Sequence, residues 1–208
     1  MRKFVFLLYI LVAVGSSLGT VLYHGELSSI DYRIFIDGVW EKDVVNITWD
    51  VDYLDDLIFE YRYIFNTPSP KIDSFILEID PAVTASDILY MNGNFREAQI
   101  DSYEKTIFPG DIYGIKFDGI SDTTLKLTIG SYAMPGWGDF GAQSVGKKSS
   151  IAWNCGFSDN DVDPTDKPSN GSVDDHILVP RVCVPEPSTI ALLGFGLAIT
   201  GLKRPNFR

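Results

Sequence analysis

Two cysteines and two histidines in 208 residues leave no material for a Cys-rich zinc module or a multiply bridged secreted knot. Basic residues are scarce as well. Seventeen Lys and Arg stand against 28 Asp and Glu, a net charge of -11, and a chain of that sign repels a phosphate backbone. No nucleic-acid partner is expected. Catalytic signatures are missing too: there is no G-x-S-x-G elbow, no H-E-x-x-H pair and no P-loop. What remains, 45% hydrophobic and 22% charged residues, excludes a disordered acidic tail or a fibrous repeat. The length suits one globular unit.

Both ends read as addresses. Arg2 and Lys3 open a positive stretch, Phe4 to Val14 form an apolar run of eleven residues, and Ser17 and Gly19 place small side chains before Thr20. This three-part order predicts a secretory signal peptide over 1–19, cleaved between Gly19 and Thr20, with the Sec export machinery as a partner. The run is short of the roughly 17–25 apolar residues of a bilayer span, which weighs against the other reading, an uncleaved anchor. At the C-terminus, Pro185 and Pro187 break helix and sheet alike. Thr189 to Leu202 is then an uncharged run of fourteen residues, followed by Lys203, Arg204 and Arg208. As a helix it covers roughly 21 Å of the roughly 30 Å hydrocarbon core. Length alone leaves a buried core helix open. The basic flank favours an inner-membrane helix built on Thr189, Leu192, Leu193, Phe195, Leu197, Ile199 and Leu202, with Lys203 and Arg204 snorkelling to the cytoplasmic side.

Val184-Pro185-Glu186-Pro187-Ser188-Thr189, a short apolar helix and a basic tail together resemble the PEP-CTERM sorting signal of Gram-negative bacteria. The resemblance implies that Pro185, Glu186 and Pro187 are read by an exosortase, a membrane cysteine protease that removes the tail after export. It also implies a place at the cell surface or in the exopolysaccharide matrix of a biofilm. Pro205-Asn206-Phe207 interrupts the basic tail, which is a departure from the pattern.

Between the addresses, residues 20–184 hold 12 basic and 27 acidic residues, a net -15. That surface is soluble and compatible with divalent cations or neutral polysaccharide. Periodicity there is that of strands. Phe59, Tyr61, Tyr63 and Phe65 alternate onto one face, as do Leu125, Leu127 and Ile129. Further strands are predicted at 32–36, 44–51, 72–79, 112–117 and 150–153, with turns at Asp37-Gly38, Thr67 to Pro70, Asn92 to Asn94, Pro109-Gly110 and Asp118-Gly119. One short helix is expected near Thr84–Met91, with Ser86 as cap. Seven or so strands of this kind predict an all-β, antiparallel two-sheet sandwich of jelly-roll or Ig-like type. The stretches 61–79, 114–118, 136–142 and 163–180 resemble a β-rich extracellular domain often found ahead of PEP-CTERM tags, a resemblance that implies no activity.

Gly136-Trp137-Gly138-Asp139-Phe140-Gly141 fits G-x-G-x-x-G, but no amphipathic helix follows, so a tight loop between strands is expected rather than a dinucleotide site. Asp159, Asp161, Asp163 and Asp166 alternate as calcium ligands do, although Pro164 and Asn170 stand where an EF-hand needs glycine and glutamate. A calcium loop of another kind and a solvated acidic loop both stand; Asp174, Asp175 and His176 join only if the chain folds back. Apart from this calcium, no cofactor is expected. Cys155 and Cys183 bracket the loop, either as one disulfide or as two thiols. Trp40, Trp49, Trp137 and Trp153 suit sugar stacking or, more commonly, core packing. The Asn46 and Asn170 sequons are taken as coincidence in a bacterial chain. The expectation is therefore a non-enzymatic exported module, with no catalytic residues. A secreted carbohydrate-active enzyme using paired acids and a permanently anchored single-pass protein are the rivals.

Overall fold

The computed structural model describes residues 20–54, 57–104, 107–146, 150–158 and 162–182. Within them the chain forms thirteen strands and one short 3-10 turn, Gly38–Lys42. The protein is all-β, and every strand pairing is antiparallel. One sheet has five strands: β1 (Thr20–Ser28), β3 (Asn46–Tyr53), β4 (Phe59–Asn66), β9 (Thr124–Ser131) and β6 (Ile88–Gly93), in that order. The other has six: β2 (Ile34–Asp37), β12 (Ile151–Asn154), β11 (Phe140–Ser144), β5 (Ile72–Glu78), β8 (Ile112–Asp122) and β7 (Glu97–Tyr103). A separate ribbon joins β10 (Met134–Gly138) to β13 (Ile177–Arg181).

The alternating apolar residues decide which face of each strand is buried, because a period of two sends them all to one side. Phe59, Tyr61, Tyr63 and Phe65 are all buried, and so are Leu125, Leu127 and Ile129 on the paired strand. From the five-stranded sheet, Phe65 reaches Phe75 and Phe140 of the six-stranded one, with ring centroids 5.4 and 5.6 Å apart. The two sheets therefore share one core. Buried polar tips find partners. Tyr61 Oη donates to the Ala133 carbonyl at 2.8 Å, Tyr63 Oη to Leu178 at 2.7 Å, and Trp40 Nε1 to Pro70 at 2.8 Å. Each such bond offsets the cost of taking a polar atom out of water.

Two expectations need correction. The helix near Thr84–Met91 is absent: Asp87 Oδ2 accepts from both the amide and the hydroxyl of Thr84, closing a turn, and Ile88–Gly93 then pairs with β9 as a strand. Short polar side chains at 84–87 compete with the helix by bonding the local backbone, and Ile88 and Tyr90 favour a pleated surface. The Asp118-Gly119 turn is instead a bulge inside β8. Two residues of β5 oppose a longer stretch there, and Gly119 and Ser121 take φ of 72° and 54°. The strand count is also higher than expected. Strands β1, β6 and β7 are sheet edges with broken or polar alternation, while β10 and β11 are glycine-rich.

Among the described residues no helix is long and apolar enough to cross a membrane. The signal segment up to Gly19, the sorting motif Pro185–Pro187, the anchor residues from Thr189 to Arg204, and Cys183 all lie outside the described residues. Thr20, the residue expected after cleavage, begins β1.

Candidate functional site

The motif residues 136–141 form strands rather than a loop. β10 ends at Gly138 and β11 begins at Phe140, so Asp139 is the single residue by which the chain leaves the ribbon for the six-stranded sheet. Its neighbours cover it, and Asp139 is 1% exposed. The backbone is fixed from both sides: the Asp139 amide donates to Glu78 Oε2 at 2.7 Å, and its carbonyl accepts from the Glu78 amide at 2.9 Å. Its side-chain oxygen Oδ1 accepts from Asn154 Nδ2, whose own Oδ1 accepts from the Phe140 amide at 2.9 Å. Gly138 makes room for this arrangement, since a Cβ there would lie 2.9 Å from Glu78 Oε2 and 2.6 Å from Val179.

The long connection from β12 to β13 folds back over this point. Asn170 Oδ1 and the Gly171 amide bind the backbone of His24, stitching the loop to edge strand β1. Asp175 pairs with Arg33 at 2.6 Å. These tethers bring His176 beside Asp139, with Nε2 3.4 Å from Asp139 Oδ1 and 3.7 Å from Asp163 Oδ1. His176 Nδ1 lies 3.3 Å from the Val173 carbonyl, an acceptor only, which places a proton on Nδ1. Gly156 permits the ring this position: a Cβ there would stand 2.5 Å from its Cε1 and Nδ1.

Arg181, the last residue of β13, holds the cluster from the other side. Its Nη1 donates to Asp163 Oδ2 and to the Trp137 carbonyl, and its Nε lies 3.8 Å from Asp80 Oδ2. Burial pulls the Arg181 pKa down, but the charges of Asp163, Glu78 and Asp80 outweigh it and hold the guanidinium above its usual range. A depression of about 490 Å³, lined by Val162, Pro164, Thr165, Asp166 and Asp174, opens onto Asp163 and His176.

The sequence-predicted residues divide as follows. Of the calcium set, Asp163 enters the cluster and Asp166 lines the mouth of the depression, while Asp159 and Asp161 lie outside the described residues. Cys155 is at the surface, donating its thiol to the Tyr32 carbonyl at 3.2 Å; desolvation, with Asp175 adding, pushes its pKa up, the reverse of an activated nucleophile. Trp40, Trp49 and Trp137 are core residues. Trp153 is half-buried, packed against the Ile76, Ile112 and Phe157 cluster and stacked on Phe35 at 4.1 Å. Sequence reasoning passed over Asp139, Asn154, Glu78 and Arg181. One signal was readable, Asp139 set among the glycines of 136–141; its meeting with His176, 37 positions on, was not.

Fold and site define an all-β, antiparallel protein whose two sheets share one core and whose last long loop is fastened by a buried carboxylate–histidine–arginine cluster. The C-terminal segment says what kind of cargo this is: residues 184–204 match the family model of the PEP-CTERM protein-sorting motif. The chain thus carries a PEP-CTERM sorting motif, which implies export, exosortase processing and membrane-associated sorting to the cell surface. No curated protein and no solved structure matches the chain.

Proposed function

We propose that the chain is a non-catalytic structural or binding module of a Gram-negative envelope, held at the inner membrane by its C-terminal helix until an exosortase cleaves at Pro185-Glu186-Pro187. Exopolysaccharide is its proposed partner, and the β body, a sandwich of jelly-roll or Ig-like type, is what the tag delivers. The observation that carries the reading is the position of the sorting motif. It begins at residue 184, three residues after the last strand ends at Arg181, so the whole β body precedes the protease site. Phe35 supports the partner, because it is 44% exposed, is held in place by stacking on Trp153, and leaves its other ring face to a sugar.

Replacing Pro185-Glu186-Pro187 by three alanines is expected to leave an unprocessed, membrane-retained form on a blot and a heavier intact mass. Normal processing of that variant refutes the sorting role of the motif. The rival hydrolase finds its best acidic pair in Asp52 and Glu60, which face each other across β3 and β4. Both are engaged, however: Arg62 holds Asp52 at 2.9 Å and Tyr90 Oη donates to Glu60 at 2.6 Å. Incubation with extracted exopolysaccharide separates the two readings, since a binder retards the polymer and a hydrolase shortens it.

A further inference from the structure

Asp139, Asp163 and His176 converge from three separate stretches of chain, each offering one donor atom, and these atoms lie within 4.8 Å of one another. The side chains of all three are more than nine-tenths buried. With a proton on Nδ1, the imidazole points Nε2 at two carboxylate oxygens, a spot that calls for something positive, either a second ring proton or a bound cation. Asp163 Oδ1 is the sharper sign: it is buried and finds no hydrogen-bond partner among the described residues. An orphaned buried carboxylate oxygen is costly, and here it points at the same spot as Nε2. Charge balance agrees. Asp163, Glu78 and Asp80 all act on the Arg181 guanidinium, so acidic groups gather at this end of the cluster.

We propose that Asp139, Asp163 and His176 form a divalent metal site of the zinc type, with an open fourth position facing the depression beside Asp166 and Asp174. Zinc bonds of about 2.0–2.2 Å to nitrogen and oxygen give tetrahedral ligand–ligand edges of roughly 3.3–3.5 Å. The observed 3.4 and 3.7 Å from Nε2 fit that scale. Calcium is the poorer match, because it takes six to eight oxygens and here one donor of three is an imidazole. The second sphere is in place as well: the Val173 carbonyl orients the imidazole and Asn154 Nδ2 orients Asp139. The ion closes the connection between β12 and β13 against the start of β11, so binding is coupled to the order of that loop.

The test uses the full-length exported protein, stripped with a chelator and then given zinc chloride alone, with metal content read by mass spectrometry and melting temperature by calorimetry. One zinc per chain and a raised melting temperature are expected. Cobalt in its place should give the visible absorption of a tetrahedral site, without the thiolate band that Cys155 would add. His176→Gln and Asp163→Asn are each expected to weaken zinc binding at least tenfold, whereas His24→Gln binds as the parent does. Unfolding of the stripped parent that zinc reverses supports the site. Stripped parent protein that takes up no zinc, prefers calcium, or shows the thiolate band overturns it, as does a folded His176→Gln variant that retains one zinc. The parent measurements decide even where a variant does not fold.

Discussion

Arg181→Met is the substitution that most directly tests how the cluster is held together. Methionine keeps an unbranched stem to cover Gly136, against whose Cβ position the arginine Cγ and Cδ now lie at 3.0 and 2.6 Å, and removes only the charge and its donors. What is left behind is the expensive part. Asp163, with a side chain 8% exposed, and Glu78, 4% exposed, lose their cation, and the Trp137 carbonyl loses its donor. Removing one partner of a buried ion pair costs about 3–5 kcal/mol, because the other charge stays buried. The arginine side chain is itself 25% exposed, so water screens part of the interaction and the lower end applies, about 3 kcal/mol. For a domain of this size that lowers the melting temperature by about 6–12 °C. Equilibrium urea unfolding of the exported protein measures the loss directly, and adding Asp163→Asn to the variant should recover part of it. A loss below about 1 kcal/mol, the level of an exposed pair such as Lys116–Asp118, would refute the claim that Arg181 neutralises a buried acidic cluster.

Desolvation, then the hydrogen bond and charge of Glu60, push the Tyr90 pKa up to about 12. Because the neutral phenol is favoured in the folded state, this contribution is full below pH 10 and is lost as pH rises through about 12. Tyr61 and Tyr63 are held up further by burial, so ultraviolet titration of the folded protein should lose one late-ionising tyrosine in Tyr90→Phe, and an unchanged curve counts against the Glu60 contact. Phe65→Ala opens a cavity where the two sheets meet at Phe75 and Phe140, with an expected loss of about 3–5 kcal/mol in denaturant unfolding; a loss under 1 kcal/mol would mean the sheets do not share that contact. Gly114→Ala drives a Cβ to 2.4 Å from the Leu77 carbonyl oxygen of the neighbouring strand, a backbone atom that cannot swing aside. A loss of about 2–3 kcal/mol is expected, and a parent-like melting curve would contradict the strand spacing.

The central strands were legible because a period-two pattern needs no partner to be read. Phe59, Tyr61, Tyr63 and Phe65 declare one face of β4 by themselves, and the structure buries all four. Edge strands declare less. Glu97–Tyr103 is half exposed and mostly polar, so its pairing with β8 comes from the neighbour it finds rather than from its own pattern. Thr84–Met91 shows the same dependence: the segment has a weak helical rhythm, and a local side-chain turn together with the open edge of β9 overrides it.

Sequence alone determined the destination of this protein, since a sorting tag is read by a protease as linear chemistry and its order of parts survives without any fold. It also determined that the cargo is built from antiparallel strands. Only the tertiary structure decided where the polar chemistry gathers. Asp139 and His176 stand 37 positions apart, and Asp163 lies between them on a loop whose acidic spacing pointed to calcium. They meet because the connection to β13 is tied back at His24 and Arg33. Burial then turns three ordinary polar side chains into a cluster where a cation is favoured, for the plain reason that water is no longer there to solvate them.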